Sequence, residues 1–160
     1  MEAAEGLRRD HPTNTIVQKY GLPLIDAAVR LRSNDAVGAV AVLEPVRKYD
    51  LANVGAFPAL YPSYLRGLAY LQTGDNAAAA TEFQQILDHP GLVGREVIGA
   101  LARLQFARAQ RAMGQHSAAR DSYEAFLTLW QHADNDIPLY REAKAEYNAL
   151  GRGTAHVSRR

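Results

Sequence analysis

A pattern returning every 40 residues constrains this chain more than any other feature of it. Asn34, Gly74 and Gly114 stand one such interval apart. Five residues after each comes a small side chain: Ala39, Ala79 and Ala119. Four further on stands a large one (Leu43, Phe83, Tyr123), and three beyond that another (Val46, Ile86, Phe126). Self-similarity at a period of about 20–50 residues marks a chain built from stacked supersecondary units, none of which buries its apolar face alone.

Within each copy the spacing is helical. In the middle one, Tyr64, Leu65, Leu68 and Leu71 fall on one helical face. Gly74 follows, where a left-handed residue closes a helix at little cost. Asp75 or Asn76 can cap a second helix carrying Ala79, Ala80, Phe83, Ile86 and Leu87 on one side, and Pro90 with Gly91 ends it. The same reading predicts helices over 22–31 and 36–49 in the first copy, the second of them kinked at Pro45. In the third it predicts 96–113 and 117–131. The copies thus occupy about 20–50, 60–90 and 96–131. A short helix is expected at 2–9, and another at 137–150 with Ile137, Tyr140, Ala143, Tyr147 and Leu150 along it. Asp134, Asn135 and Asp136 precede the latter, offering caps and negative charge at its positive end. Such a helix would cover the last apolar face of the stack. Residues 1–150 then form one domain of eight helices or fewer without a sheet, and 151–160 a polar tail.

Composition agrees and narrows the function. The apolar share of 48% is carried mainly by alanine and leucine, the strongest helix formers. A net charge of +1 supplies no field to hold nucleic acid or an anionic membrane, so no nucleic-acid partner is expected. Without cysteine there are no disulfides or thiolate metal sites. No apolar run approaches the roughly 18–20 residues of a membrane span, and the first ten residues lack the apolar stretch of a signal peptide. A soluble domain is expected, either cytoplasmic or the extracytoplasmic part of a membrane-anchored parent.

The middle copy, YPSYLRGLAYLQTGDNAAAATEFQQIL, closely resembles the tetratricopeptide repeat, with Gly67, Tyr70, Gly74, Ala79 and Phe83 at its signature positions. The third copy keeps Ala107, Gly114, Ala119 and Tyr123 but has Gln110 in place of the aromatic, and the first has Ala27, Arg30 and Asn34 at the matching places. The period exceeds the family's usual one, the excess falling around 50–57 and 89–95. The resemblance implies an all-α, right-handed α-solenoid of three helix pairs with a C-terminal capping helix. It further implies a groove lined by the first helix of each pair, with Tyr64, Leu68, Leu71, Gln72, Leu104, Arg108 and Arg111 at groove-facing positions. Leu65 and Gln105 stand where the family's carboxylate-clamp members carry polar clamp residues, which argues against a chaperone-tail ligand.

More narrowly, NTIVQKYGLPLIDAAVRL, YPSYLRGLAYL and FLTLWQHADNDIPLYREAKAEYNAL are similar to the C-terminal helical-repeat region of acidobacterial-type multidomain proteins. There a serine/threonine kinase or winged-helix domain precedes the repeats. This likeness implies the repeat portion of a larger bacterial signalling protein.

No residue pattern points to catalysis. The histidines (His11, His89, His116, His132, His156) lie far apart, none paired at the spacing of a helical metal site. The Asp134–Asp136 cluster lacks the alternating oxygens and later glutamate of a calcium loop, and Gly91, Gly94 and Gly99 form no phosphate cradle. A non-catalytic module without cofactor follows. Arg108 and Arg111, three apart on one helix face, read either as a solvated face whose charges complement the helix C-terminus or as a basic patch lining the groove. The expected partner is a protein or peptide, acidic where the groove reading of these arginines holds, or another domain of the parent chain. The competing reading is structural: self-association as a homodimer, or regulation of an attached kinase or DNA-binding domain. Tyr61 and Tyr64 serve equally well as a stacking platform or as packing residues.

Overall fold

The computed structural model describes residues 2–52 and 59–154. Among them there is no strand, and nine α-helices follow one another: α1 (Glu2–Asp10), α2 (Leu22–Arg32), α3 (Ala36–Leu43), α4 (Tyr61–Thr73), α5 (Asn76–Asp88), α6 (Pro90–Val93), α7 (Ile98–Ala112), α8 (His116–Leu129) and α9 (Pro138–Thr154). A π-helical turn, Val17–Gly21, leads into α2.

Each pair closes on the residue its sequence column marked. Asn34, Gly74 and Gly114 have φ of 60°, 80° and 76°, the left-handed region that ends a helix. Directly after them, Asp35 and Asp75 cap α3 and α5, their carboxylates accepting from the N–H groups of Gly38 and Ala78 at 2.9 and 3.1 Å. The third copy has Gln115 at that place, and its side chain makes no cap. Pro45 does more than kink its helix. From Glu44 to Tyr49 the backbone tightens into a 3₁₀ helix, since proline has no N–H to give an α-helical bond.

The repeating columns are the core. Ala39, Ala79, Ala119, Leu43, Phe83, Tyr123, Ile86 and Phe126 are wholly buried, and Val46 nearly so. Gly67 sits where α4 crosses α5: a Cβ built there would lie 2.6 Å from the Phe83 ring. Tyr140 and Ala143 bury α9 against Leu104, Ala107, Tyr123 and Phe126, covering the end of the last pair as expected.

Four expectations change. The Pro90–Gly91 stop is itself a helical turn, α6, which brings the count to nine among the described residues. Helix α7 begins at Ile98, two residues later than the expected 96. Helix α9 runs through Thr154, four residues into the segment expected as tail. And α4 has no single apolar face. It touches α2, α3, α5 and α7, so Pro62, Ser63, Arg66, Gly67 and Ala69 are its buried residues, while Tyr64, Leu65, Leu68 and Leu71 are half-buried. Most of the connection expected around 50–57, the end of the polar tail and His156 lie outside the described residues.

Helices pack in chain order, α2 on α3, α3 on α4, α4 on α5, α5 on α7, α7 on α8 and α8 on α9. The first helices of the pairs also touch in series, α2 to α4 and α4 to α7.

Candidate functional site

The face expected to bind a ligand is partly filled from within. On α7, Arg108 donates from Nε to Glu146 Oε2 at 3.0 Å, and from Nη2 to Glu146 Oε1 at 2.9 Å and Glu142 Oε2 at 3.1 Å. Both acids belong to α9. The Tyr123 hydroxyl donates to the same Glu146 carboxylate at 2.7 Å. Burial opposes the charge on Arg108, but the two glutamates outweigh it and hold the guanidinium above its ordinary value. Burial likewise pushes Glu146 up, and the hydrogen bonds from Arg108 and Tyr123 with the charges of Arg108 and Arg111 outweigh it, leaving the carboxyl below its usual range. Two glutamates of α9 thus take up the Arg108 guanidinium that an acidic ligand was expected to meet.

The other expected groove residues divide. Leu104 has no exposed surface and packs with Tyr123, Phe126 and Tyr140, which removes it from any ligand surface. Tyr64 stacks edge-on against Phe83 with ring centroids 6.0 Å apart and hydrogen-bonds Gln105, so it serves packing. Tyr61 and Leu68 are half-buried against both the first and second core clusters, and Leu71 against the second. Gln72 is exposed, yet its amide donates to the Leu31 carbonyl at 3.3 Å, bridging α4 to α2. Arg111 is exposed at the far end of α7.

Sequence reasoning missed a charged cluster in the middle of the molecule. Arg66 on α4 is fully buried. Its guanidinium meets Asp50 at 2.5 and 3.2 Å, Glu82 at 2.9 and 3.0 Å, and Ser63 Oγ at 3.1 Å. Arg47 completes the set, its Nη1 2.7 Å from Glu82. Two cations and two carboxylates balance, and each nitrogen of the Arg66 guanidinium has an oxygen partner, the arrangement that makes a buried charge tolerable. Burial raises Asp50 above its ordinary value despite Arg66. Burial and the Asp50 charge push the neighbouring Tyr20 hydroxyl up to about 12. The cluster ties the 3₁₀ helix, α4 and α5 together on both sides of the 53–58 connection. Asp50 also accepts the Leu60 N–H through its carbonyl at 3.2 Å, holding Leu60 in a left-handed conformation with φ of 65°.

The open surface lies elsewhere. Helices α5 and α8 both pack on α7, and between them runs a cleft of about 560 Å³ lined by Leu87, Val93, Arg95, Val97, Arg103 and Trp130 among others. A second hollow of about 540 Å³ continues along α8, sharing Arg103 and Leu129 and adding Asp121 and Glu124. Apolar side chains stay exposed at the rim, Leu129 at 62% and Val97 at 48%. Arg103 Nε is buried without a hydrogen-bond partner, and no ion pair reaches this guanidinium among the described residues. Nor do the described residues include a cluster of acids and histidines able to hold a metal ion, or a helix long and apolar enough to cross a membrane.

No protein-family model, curated protein or solved structure matches the chain. What the described residues define is an all-α molecule of successive helix pairs closed by a C-terminal helix.

Proposed function

We propose that this chain is a non-catalytic, tetratricopeptide-type α-solenoid that binds a protein or peptide, as the recognition part of a larger bacterial signalling protein. Support comes from the left-handed turn closing each pair and from the serial contacts α2–α4 and α4–α7, the layout of a helical-repeat scaffold. One observation carries the binding reading: the open cleft between α5 and α8, with exposed apolar side chains and an arginine lacking a partner. Apolar surface left in a concavity beside a few polar groups is where ligands are held.

The test is selection of binders from random peptide display on the folded, immobilised protein, with affinities measured in solution. Sequence-related binders of micromolar affinity support the reading. A surface that enriches nothing refutes it.

Self-association is the second reading. Helix α3 is apolar on every side and leaves Val37 73% exposed, the kind of face a second copy could cover. Light scattering after size exclusion decides: a dimer lost in Val37→Glu supports self-association, and a monomer at high concentration removes it.

A further inference from the structure

We propose that the cleft between α5 and α8 receives an internal acidic side chain of a partner peptide, seated on Arg103 and flanked by apolar residues. This rests on the binding reading above and names its ligand.

The chain itself shows what an arginine in this position takes. One junction earlier, α4 lies between the 3₁₀ segment and α5 as α7 lies between α5 and α8. There Arg66 collects the carboxylates of Asp50 and Glu82 from the two sides. Shifted by the 40-residue period, the positions of Asp50 and Glu82 are held by Pro90 and Ser122, neither of which carries charge. Arg103 stands at the counterpart of Ser63, one helical turn from the counterpart of Arg66, and Ser63 is itself bonded to the buried guanidinium. The third copy thus keeps an arginine on the same helix face and lacks both of its acids. No carboxylate of the described residues reaches this guanidinium, whose Nε is closed off from solvent, and an acid entering from the cleft would give the charge its missing partner.

The surroundings define the rest of the ligand. Val97, Leu129 and Trp130 offer apolar contact beside Arg103. Asp121 and Glu124, in the continuing hollow, disfavour a polyanion such as nucleic acid. Because Arg103 is shared by the two hollows, the surface runs past it on both sides. A segment passing through fits this better than a chain end.

Trp130 is the only tryptophan, so its fluorescence reports occupancy of the cleft directly. Two random peptide libraries are selected on the intact protein, one fused at both ends and one with free C-termini, and the best peptides are titrated against this signal. The expectation is enrichment of Asp or Glu between apolar residues in the closed library. Arg103→Gln, and Glu→Gln in the peptide, should each weaken binding by about tenfold, with no further loss when combined. Leu129→Glu, at an exposed site, should weaken it by repulsion. Val37→Ser, on the distant α3 face, should not. Circular dichroism establishes that each variant is folded. Peptides that bind equally well to Arg103→Gln and Leu129→Glu overturn the cleft proposal and leave the binding reading standing. Selection only from the free-terminus library overturns the internal acid. No binders from either library remove both readings.

Discussion

Gly67 and Arg66 are neighbours on α4 with opposite demands. Gly67 must have no side chain, because Phe83, buried and stacked on Tyr64, already fills the space a Cβ would need. Gly67→Ala should cost about 1–3 kcal/mol by overpacking, a loss of the same order as the usual range for extra methyl groups in a tight core. Pairing it with Phe83→Leu should recover part of that loss, measured as a less-than-additive shift in urea midpoint. Equal melting of Gly67→Ala and parent would show that the crossing of α4 and α5 has room for a methyl group. Arg66 must have its whole side chain. Arg66→Met should cost about 3–5 kcal/mol, because it strands the Asp50 and Glu82 carboxylates in a buried place with only Arg47 near. The triple change Arg66→Met, Asp50→Leu, Glu82→Leu should recover most of it. A triple variant as unstable as the single one would mean that shape, rather than stranded charge, sets the cost.

How the helices end and face one another was partly legible. Asn34, Gly74 and Gly114 marked the turns because only special residues tolerate positive φ, and the columns beginning at Ala39, Leu43 and Val46 marked the core because small and large side chains must recur where pairs cross. The cap column beside them, Asp35 and Asp75, breaks at Gln115, and the structure shows the missing bond. Gln115→Asp should therefore stabilise the protein by about 0.5–2 kcal/mol, read from thermal unfolding above pH 5. No gain would mean that α8 starts under another constraint. Arg66 gave no such signal. Its period-mates are Asp26 and Phe106, so nothing recurs, and a lone arginine on a helix ordinarily belongs to a solvated face. Its burial arises only when three segments converge on it. The partners of Arg108 stayed hidden for a related reason. Its partners Glu142 and Glu146 lie four residues apart, hence on one face of α9, but no local rule says which helix that face meets.

Across the molecule, the two ionic networks respond oppositely to acid, and this gives the whole chain a direction of unfolding. Glu146 lies below its ordinary value of 4.5 when folded, so its contribution is fully present above that pH and is lost as pH falls. Asp50 lies above its ordinary value when folded, so the fold takes up its proton more readily than the unfolded chain does, and acid does not cost stability there. Acidification below about pH 4.5 should loosen α9 before the centre. Trp130, tilted against Phe126 with centroids 5.1 Å apart, sits in the part that α9 covers and reports it, while helical circular dichroism reports the whole. Between pH 4.5 and 3 the fluorescence change should precede the dichroism change. Glu146→Gln should bring about that separation at neutral pH in urea, lowering the fluorescence midpoint by the equivalent of about 1–3 kcal/mol for a hydrogen bond to a charged group. Arg108→Glu, Arg111→Glu should go further, placing glutamate against Glu142 and Glu146 and releasing α9 outright, so a partner lost by that variant would say nothing of ligand contact. If both signals move together in acid and in Glu146→Gln, α9 and the centre form one cooperative unit, and the arginine–glutamate contact is not where the molecule first gives way.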